Sequence, residues 1–458
     1  MDQHPLRAIP AVHRFTDDAA IAAFKALLGP DAVRSCVQDV LDAARETARH
    51  GEISSFELLR ERVIHRLSTR EAENLLGVVN ATGVLLHTNF GRAPIARSAL
   101  DAVARLGAGY TNLEYDLDRG DRGSRYDRVA SQLREVSGAE AALVVNNCAA
   151  AVLLVLDTFA RGRDVVVSRG QLIEIGGSFR LPDVLRKSGA NLIEVGTTNR
   201  TYGADYRDAW TPQTAMFMRS HPSNYRVEGF TAEVDAASMA ALARELGVIS
   251  FEDLGSGALV DLARYGLPHE TTLAEEIAAG VDLVAVSGDK LMGGPQCGIV
   301  AGRRTFIDAL RKNPLLRALR VGKMTIAALG ATLALYLEGR LGEIPFFAML
   351  AATHDDLLAR ARAICEAARD AAAATLTPLS TSATVGGGSL PMTTIPSAGV
   401  AAVPRGRSVD AFAAQLRRNR PPIIGRSVAD ALVLDLRTVR PDEDAFITAA
   451  LRAAPACA

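Results

Sequence analysis

Apolar residues recur at helical spacing through residues 1–72, where they are interleaved with charges of both signs. The spacing is clearest at Val33, Val37, Val40, Leu41 and Ala44. Such positions share one face of a helix, and the stretch lacks the alternation that is typical of a strand. Residues 1–72 are therefore predicted to form a small, separate helical domain.

The pattern changes after about residue 75. Short apolar runs then alternate with helix-length segments, which is typical of βαβ units and a mostly parallel sheet. The predicted strands are 142–145, 164–168, 192–195, 215–219, 248–252 and 281–286. A large α/β domain is therefore predicted for residues 73–335. The turn-rich segment TSATVGGGSLPMTTIPS and the mixed short elements around it predict a smaller α+β domain over residues 336–458.

The composition is that of an ordinary globular enzyme, with 48% apolar and 22% charged residues in a chain of 458. A formal net charge of −1 provides no overall positive field that would indicate a nucleic-acid partner. The five cysteines are scattered and form no Cys-x-x-Cys pair, which argues against a zinc site or disulfides and favours a reducing compartment. The N-terminus has no apolar signal-peptide core, and the longest apolar stretch, 325–337, is too short to span a bilayer. We expect a cytoplasmic protein without a metal site or a membrane segment.

The segment VDLVAVSGDKLMGGPQCG, residues 281–298, ends a predicted strand in a polar turn. Lys290 in this turn follows a buried strand, where loss of water favours the neutral amine that forms a Schiff base with an aldehyde cofactor. Ser287, three residues earlier, is expected to reach a phosphate of that cofactor. The alternative interpretation is a surface lysine in a turn between two strands.

Two further motifs follow predicted strands. Asn147, Cys148 and Ala149 open a helix after the first of them, and the backbone N–H groups of such a start bind phosphate. The alternative is tight packing of small residues on the sheet, and a buried thiol is a commoner role for Cys148 than a nucleophile. Asp253 follows the fifth strand, where a buried carboxylate stabilises the protonated ring nitrogen of pyridoxal 5′-phosphate (PLP). The alternative role of Asp253 is to cap a helix.

These motifs gain specificity in combination, because ligands of an open α/β sheet bind at the carboxyl ends of its strands. A phosphate-binding helix start, an acid at Asp253 and a lysine at Lys290 follow one another in the order that predicts a PLP enzyme. A Rossmann dinucleotide site and a P-loop are disfavoured, because the chain has neither G-x-G-x-x-G after a strand nor GxxxxGK[ST].

Arginines are the second candidate group: Arg92 in HTNFGRAP, Arg119, Arg122 and Arg125 in DRGDRGSR, and Arg317 and Arg320 in NPLLRALRVGK. On a helix, Arg317 and Arg320 would share a face with Lys323. Cations on one face repel each other unless they bind an anion, and guanidinium groups suit phosphate-like anions. The alternative is a solvated basic face.

Several motifs are distinctive in combination: VVNATGVLLHTNFGRAP, NLEYDL, SRGQLIEIGGSFRLPDV, EVGTTNRTY, SNYRVEGF, DLGSGALVDL, SGDKLMGGPQCGI, NPLLRALRVGKMT, GGGSLP and PPIIGR. With them, nearly the whole chain resembles the bacterial selenocysteine synthases, the L-seryl-tRNA(Sec) selenium transferases, which are fold-type-I PLP enzymes. Gln171 and Cys148 depart from the pattern, because the family usually has Glu and a third Asn at these positions.

The resemblance implies an enzyme that converts seryl-tRNA(Sec) to selenocysteinyl-tRNA(Sec) by loss of water and addition of selenium from selenophosphate. It places the cofactor lysine at Lys290, the functional aspartate before it at Asp289, and binding of the selenium donor at Arg92, Arg317 and Arg320. It also implies that the helical N-terminal domain binds tRNA and that the protein is a homo-oligomer, a ring built from dimers.

Two other functions are weighed against this one. A small-molecule PLP lyase of the same superfamily, acting on a phosphorylated amino sugar or amino acid, would share the central motifs but lack the helical N-terminal domain. A non-catalytic tRNA-binding protein is disfavoured because both Lys290 and Asp253 are present. Arg426 of PPIIGR stands where a binder of a substrate carboxylate often lies. An ester-linked seryl group has no free α-carboxylate, so Arg426 is either structural or serves another role.

Overall fold

The computed structural model describes residues 9–50, 54–72, 75–175, 179–222 and 224–454. It divides into two compact units, Met1–Val78 and Val79–Ala458. The helices predicted for the first unit are confirmed in its described part: α1 (Val12–Thr16), α2 (Ala19–Ala22), α3 (Lys25–Leu28), α4 (Pro30–Arg49) and α5 (Phe56–Ala72).

The core of the first unit is the predicted apolar face of α4. Val33, Val37 and Leu41 are fully buried and share one cluster with Leu59 and Val63 of α5. Spacing of three and four residues places these side chains along one stripe of each helix, so the two helices bury their apolar faces against each other.

The second unit contains eighteen strands among its described residues: β1 (Val79–Asn80), β2 (Val84–Leu86), β3 (Tyr115–Asp116), β4 (Asp121–Arg122), β5 (Ala141–Val145), β6 (Asp164–Ser168), β7 (Glu174–Ile175), β8 (Phe179–Arg180), β9 (Asn191–Val195), β10 (Thr214–Ser220), β11 (Ile249–Gly255), β12 (Leu283–Ser287), β13 (Gly298–Gly302), β14 (Ala374–Gly386), β15 (Thr394–Pro404), β16 (Ile423–Ile424), β17 (Arg426–Val428) and β18 (Ala431–Asp435).

Seven of these strands form the main sheet, in the order β5-β13-β12-β11-β10-β6-β9. All six predicted strands belong to it, and β12, β11, β10, β6 and β9 pair in parallel, as predicted. The unpredicted strand is β13, which runs antiparallel between β12 and β5. It begins at Gly298, where a Cβ would lie 2.1 Å from the carbonyl oxygen of Asn147. Only glycine lets the chain beyond β5 pass so close to the sheet.

The helices of this part are α6 (Arg97–Gly107), α7 (Asp127–Ser137), α8 (Cys148–Phe159), α9 (Leu181–Ser188), α10 (Gly203–Asp208), α11 (Ala236–Leu246), α12 (Leu273–Ala278), α13 (Arg304–Lys312), α14 (Leu316–Leu319), α15 (Lys323–Leu337) and α16 (Pro345–Ala351). α6 and α16 share an apolar cluster with α15, and the others cover both faces of the main sheet. Alternation along β12 shows the two faces. Leu283 and Ala285 belong to the core shared with α8, whereas Val284 and Val286 belong to the core shared with α7 and α15. The apolar stretch 325–337 forms most of α15, and Ile326, Leu329 and Leu333 of this helix are buried.

A second sheet has the order β17-β18-β15-β14-β2 and packs against α17 (His354–Ala367), with α18 (Val409–Leu416) and α19 (Asp444–Ala453) completing this part. β2 pairs with β14, and β1 pairs with β16. The chain that opens the second unit is therefore bound to strands near its end. The sequence analysis had placed these first residues with the large domain, because no local pattern shows a pairing across 300 residues.

Among the residues that the structure describes, no helix combines the length and the apolar content needed to cross a membrane.

Candidate active site

Lys290 stands in the turn after β12, at the carboxyl edge of the main sheet. Its residue surface is 7% exposed. Its ammonium group donates no hydrogen bond to any residue that the structure describes. The interpretation as a surface lysine is therefore wrong, and the amine is free to react with a bound ligand.

Asp253 lies inside β11, on the strand next to β12. A Cβ built on Gly255 would lie 3.6 Å from Oδ1 of Asp253 and 3.9 Å from Nζ of Lys290, so the carboxylate and the amine border the same space. Burial raises the pKa of Asp253 above its ordinary value, and the Lys290 cation acts in the opposite direction. The helix-cap interpretation is wrong, because Asp253 is a strand residue.

The start of α8 is a candidate anion site beside this space. Asn147 is the N-cap, and its side-chain oxygen accepts a hydrogen bond from the N–H of Ala150 at 2.9 Å. The backbone N–H groups of Cys148 and Ala149 have no acceptor among the described residues, as is usual in a first helical turn. Together with the helix dipole, these groups suit a phosphate.

Cys148 lies at the start of α8 and contacts Asp253. Its Sγ lies 3.6 Å from Oδ1 of Asp253, and burial raises the pKa of the thiol well above its ordinary value. The thiol therefore stays protonated and donates to the carboxylate, whereas a nucleophile would need the thiolate. The residue that departs from the family pattern thus still supplies a hydrogen-bond donor to Asp253.

Asp289 is held between a serine and an arginine. The hydroxyl of Ser287 donates to Oδ1 of Asp289 at 2.7 Å, and Nη1 of Arg92 donates to Oδ2 at 2.8 Å. Asp289 is 5% exposed, so this pair ties the loop after β2 to the lysine turn. The hydroxyl of Ser287, which is predicted to reach a cofactor phosphate, donates to Asp289 in this structure, and its contact with a phosphate stays a prediction.

Arg317, Arg320 and Lys323 do not share one helical face, which corrects the prediction made from their spacing. Arg317 lies on the short helix α14 and is exposed, whereas Arg320 follows that helix in an extended conformation and pairs with Val145 at the end of β5. Lys323 begins α15, and its ammonium donates to the carbonyl oxygen of Gly109 at 2.6 Å. The extended segment between the helices separates the three cations, and Lys323 is occupied by the chain after α6.

Two of the three arginines of DRGDRGSR lie against one acid, Glu114. Arg125 pairs with Glu114 at 2.6 Å, Arg122 lies 3.6 Å from the same carboxylate, and Arg320 lies 3.8 Å from it. The hydrogen bond from Arg125 is the main cause that lowers the pKa of Glu114. Arg119 instead pairs with Asp116 at 3.1 Å. One carboxylate therefore balances three guanidinium groups, and an excess of positive charge lies near the end of β5.

The structure also shows the contacts of Gln171 and Arg426, whose roles the sequence left open. Oε1 of Gln171 accepts the backbone N–H of Ser220 at 3.2 Å, so this departure from the family pattern supports the end of β10. Arg426 donates to the fully buried Asp435 at 3.3 Å within the second sheet. That contact supports a structural role for Arg426.

Gly388 is a site residue that the sequence analysis missed. A Cβ at this position would lie 2.7 Å from Nζ and 2.9 Å from Cε of Lys290, and the backbone has a φ of +97° that favours glycine. The signal was the GGGS run, which was assigned to a turn without regard to what it faces.

We predict that Gly388→Ala displaces the lysine amine and lowers the yield of protein with covalently bound cofactor, because the new methyl group and the amine cannot occupy the same space. Mass spectrometry after borohydride reduction measures this yield. Gly342→Ala, at an open position with no atom within 4 Å of the added carbon, is the matched control. Full covalent loading of Gly388→Ala would contradict the prediction.

His221 and Glu270 are two further residues near the site that the sequence did not indicate. Nε2 of His221 lies 3.2 Å from Oε1 of Glu270, and the backbone N–H of His221 donates to the carbonyl oxygen of Asp253 at 3.0 Å. No local pattern indicates this pair, because 49 residues separate its members and only the sheet brings them together.

The geometry fits PLP at three points. A buried amine can hold the aldehyde, a buried carboxylate on the adjoining strand can hold the ring nitrogen, and the N–H groups at the start of α8 can hold the phosphate. All three lie at the same edge of an open α/β sheet, where ligands of such folds bind.

Comparison with known proteins agrees with this arrangement. The family described as SelA, L-seryl-tRNA selenium transferase, matches residues 78–440. The L-seryl-tRNA(Sec) selenium transferase of Geobacter sulfurreducens is 45% identical over 97% of this chain and 98% of its own length. The protein of the same name from Desulfomicrobium baculatum is 47% identical over 98% of both chains. A solved structure of D-glucosaminate-6-phosphate ammonia-lyase superposes with a TM-score of 0.59 at 20% identity, covering 84% of this chain and 97% of that one.

The fold is that of the fold-type-I PLP enzymes, an α/β class with a mostly parallel sheet. Within that class, the chain belongs to the L-seryl-tRNA selenium transferase family.

Proposed function

We propose that this protein converts seryl-tRNA(Sec) to selenocysteinyl-tRNA(Sec), with PLP as cofactor and selenophosphate as selenium donor. The observation that carries the proposal is the buried Lys290 beside Asp253, within a chain that shares the family's motifs over nearly its whole length. PLP, when bound, supplies the electron sink that makes the Cα proton of the seryl group removable.

The residues of this chain have distinct tasks in that reaction. Lys290 would hold the cofactor covalently, and its amine is the base placed to take the Cα proton. Asp253 would hold the ring nitrogen, and the thiol of Cys148 fixes the orientation of that carboxylate. Low exposure of Lys290, Asp253 and Asp289 limits the access of water to the reacting groups.

The selenium donor is a phosphate-bearing anion, and three arginines are its proposed ligands. Arg92 lies against Asp289, directly before the lysine, whereas Arg320 pairs with the end of β5 that leads into the anion site of α8. Arg317 is exposed on α14 and has no ion-pair partner in the described residues. Because Asp289 balances Arg92 in the free protein, the donor would compete with this carboxylate for the guanidinium group.

We predict that Arg317→Ala and Arg320→Ala each impair selenium addition more than loss of water. A charge-assisted contact contributes about 1.5–3 kcal/mol, so each loss should reduce use of the donor roughly ten- to a hundredfold. The measurement is the ratio of dehydrated acyl-tRNA to selenocysteinyl-tRNA, and Lys312→Ala, an exposed cation on α13, is the matched control. Equal slowing of both steps would mean that these arginines hold the tRNA or the fold.

The first unit is the proposed tRNA-binding part. A groove of about 490 Å³ between α4 and α5 is lined by basic side chains of α5, among them Arg62, His65 and Arg66. These residues are exposed and lie on one helical face, where they suit contact with a phosphate backbone. Asp39 pairs with Arg66 at 3.0 Å, so part of this charge is balanced in the free protein.

We predict that deletion of residues 1–72 leaves cofactor binding intact and abolishes the preference for tRNA(Sec), because the first unit has its own core. Arg62→Glu combined with Arg66→Glu should weaken tRNA binding and reduce its salt dependence, whereas Arg34→Glu, on another face of α4, should not. Filter binding at several salt concentrations measures both effects. Equal affinity of the truncated and full-length proteins for tRNA(Sec) would place recognition in the second unit.

We also propose a homo-oligomer built from dimers. Exposed apolar side chains support this, including Tyr110 and Leu117 beside the arginine-rich loop, and Phe230. Large apolar groups on a surface are typical of an interface. The loop at 119–125 is the proposed segment that reaches a neighbouring subunit, and sedimentation of an active monomer would contradict this proposal.

The proposed function is tested by incubating purified, cofactor-loaded protein with seryl-tRNA(Sec) and selenophosphate and measuring selenocysteinyl-tRNA(Sec). The lyase alternative predicts instead turnover of a phosphorylated amino sugar without any tRNA. The structural likeness to D-glucosaminate-6-phosphate ammonia-lyase is a likeness of fold, since only 20% of residues are identical. It gives no specific support to that alternative.

A further inference from the structure

A cavity of about 450 Å³ opens next to the candidate active site. Its wall includes residues that follow β6, β9 and β10, on the side of Asp253 away from α8. His221 in this wall donates its backbone N–H to Asp253, and Leu390 in the same wall is two residues from Gly388, which lies against Lys290. The cavity therefore adjoins the reacting groups.

Glu270 is the unusual residue of this wall. It is only 4% exposed, yet its Oε1 accepts no hydrogen bond from any described residue. Nε2 of His221 lies 3.2 Å away but is not aligned as a donor. A buried carboxylate oxygen without a donor is unfavourable in the free protein. No described residue donates to Oε2 of Glu270 either, and Oε2, unlike Oε1, is not closed off from the cavity. A ligand in the cavity that presents an O–H or N–H group to Oε2 would offset the cost of burying this carboxylate.

The substrate proposed above has such a group close to its reacting atoms. The seryl group is esterified to one ribose hydroxyl of the terminal nucleoside, and the neighbouring hydroxyl is free to donate. Because the seryl Cα must reach Lys290, this nucleoside must lie beside the active site. We propose, on the basis of the proposed function, that the cavity binds the 3′-terminal nucleoside of seryl-tRNA and that Glu270, positioned by His221, accepts a hydrogen bond from the free ribose hydroxyl.

The remainder of the wall suits this ligand. Thr198 offers a hydroxyl to the ribose or the base. Arg200 donates its Nε to the carbonyl oxygen of Phe230 at 3.1 Å, and the rest of its guanidinium group provides a cation for the last phosphodiester. The charge of Glu270 would repel a phosphate or a carboxylate placed against it. The arrangement therefore favours a neutral hydroxyl-bearing group at the inner end of the cavity and a phosphate at Arg200.

The test uses full-length, cofactor-loaded protein and two forms of seryl-tRNA(Sec), one of which lacks the ribose hydroxyl next to the ester. With the unchanged protein, removal of this hydroxyl should raise KM for loss of water roughly tenfold or more, as expected for a hydrogen bond to a charged group. Glu270→Ala should raise KM by a similar factor for the normal substrate and leave KM for the deoxy form unchanged, because the same contact is already missing. Glu270→Gln keeps an acceptor and should give an intermediate KM.

Two further measurements separate binding from folding and from chemistry. The affinity for adenosine, measured by calorimetry without turnover, should fall in Glu270→Ala, while the melting temperature and the absorbance of the bound cofactor stay unchanged. Glu233→Ala is the matched control, because Glu233 lines the same cavity but is exposed.

Equal use of the two tRNA forms by the unchanged protein would overturn the inference, and this comparison does not depend on the folding of any variant. If Glu270→Ala raised KM by the same factor for both tRNA forms, the inference would also be overturned. If neither tRNA form yields selenocysteinyl-tRNA, the proposed function itself fails, and the two failures are thus distinguishable.

Discussion

Lys290→Ala is expected to yield a folded protein that binds PLP without a covalent link and has lost most of its turnover. Of the five lysines in the chain, Lys290 is the only buried one, since the others are half-buried or exposed. The variant loses both the group that attaches the cofactor and the base proposed for the Cα proton. General-base catalysis alone contributes about 10²- to 10⁴-fold, so turnover should fall at least by that factor.

Borohydride reduction followed by peptide mapping measures the covalent link directly. The unchanged protein should carry the label on the peptide that contains Lys290, and Lys290→Ala should carry none. Lys312→Ala removes an exposed lysine on α13 and should be labelled like the unchanged protein. A label on any of the other four lysines would show that the site has been misplaced.

The sequence predicted the main sheet well because its strands are defined by local composition. Each of the six predicted strands is a short apolar run between polar or glycine-rich turns, and each appears in the structure with bounds shifted by a few residues at most. β13 was not predicted from the sequence, because its segment GIVAG is bounded by glycines and lies only a few residues after the lysine turn. Its place between β5 and β12 depends on pairing with two distant strands.

Pairing across long sequence separations explains the other differences. β2 joins β14, and Glu270 meets His221, through contacts that no local pattern shows. The prediction that Arg317, Arg320 and Lys323 share one helical face was wrong for a local reason instead. Gly322 stands at the N-cap of α15, and the backbone of Arg320 is extended, so two helices meet where spacing alone predicted one. A glycine between the candidate cations was the signal in the sequence.

The candidate site was predictable where strand ends define it. Lys290, Asp253 and the start of α8 each follow a predicted strand, and a parallel sheet brings the carboxyl ends of its strands to one edge. The individual contacts were not predictable. Ser287 donates to Asp289, and Gly388 reaches Lys290 from the turn after β14, because side-chain partners depend on how distant segments pack together.

Asp253→Asn is the second prediction with a large expected effect. The amide keeps the shape of the carboxylate and can still accept the thiol of Cys148, but it carries no charge to stabilise a protonated ring nitrogen. An opposite charge at close range shifts a pKa by about 1–3 units, so the protonated form of the ring should fall roughly 10- to 1000-fold. Exchange of the Cα proton of a bound seryl ester, followed by mass spectrometry in deuterated water, should slow by a comparable factor. The covalent link to Lys290 should still form.

Glu252→Gln provides the matched control for that variant. Glu252 is the neighbouring buried acid on β11, but it faces the opposite side of the sheet and lies 3.2 Å from Arg219. Burial raises the pKa of Glu252, and the guanidinium group of Arg219 acts in the opposite direction. We therefore expect Glu252→Gln to leave proton exchange nearly unchanged. If Asp253→Asn exchanged the Cα proton as fast as this control, the stabilisation of the ring nitrogen would have to come from another residue, and the buried carboxylate of Asp253 would be a structural partner of Cys148 alone.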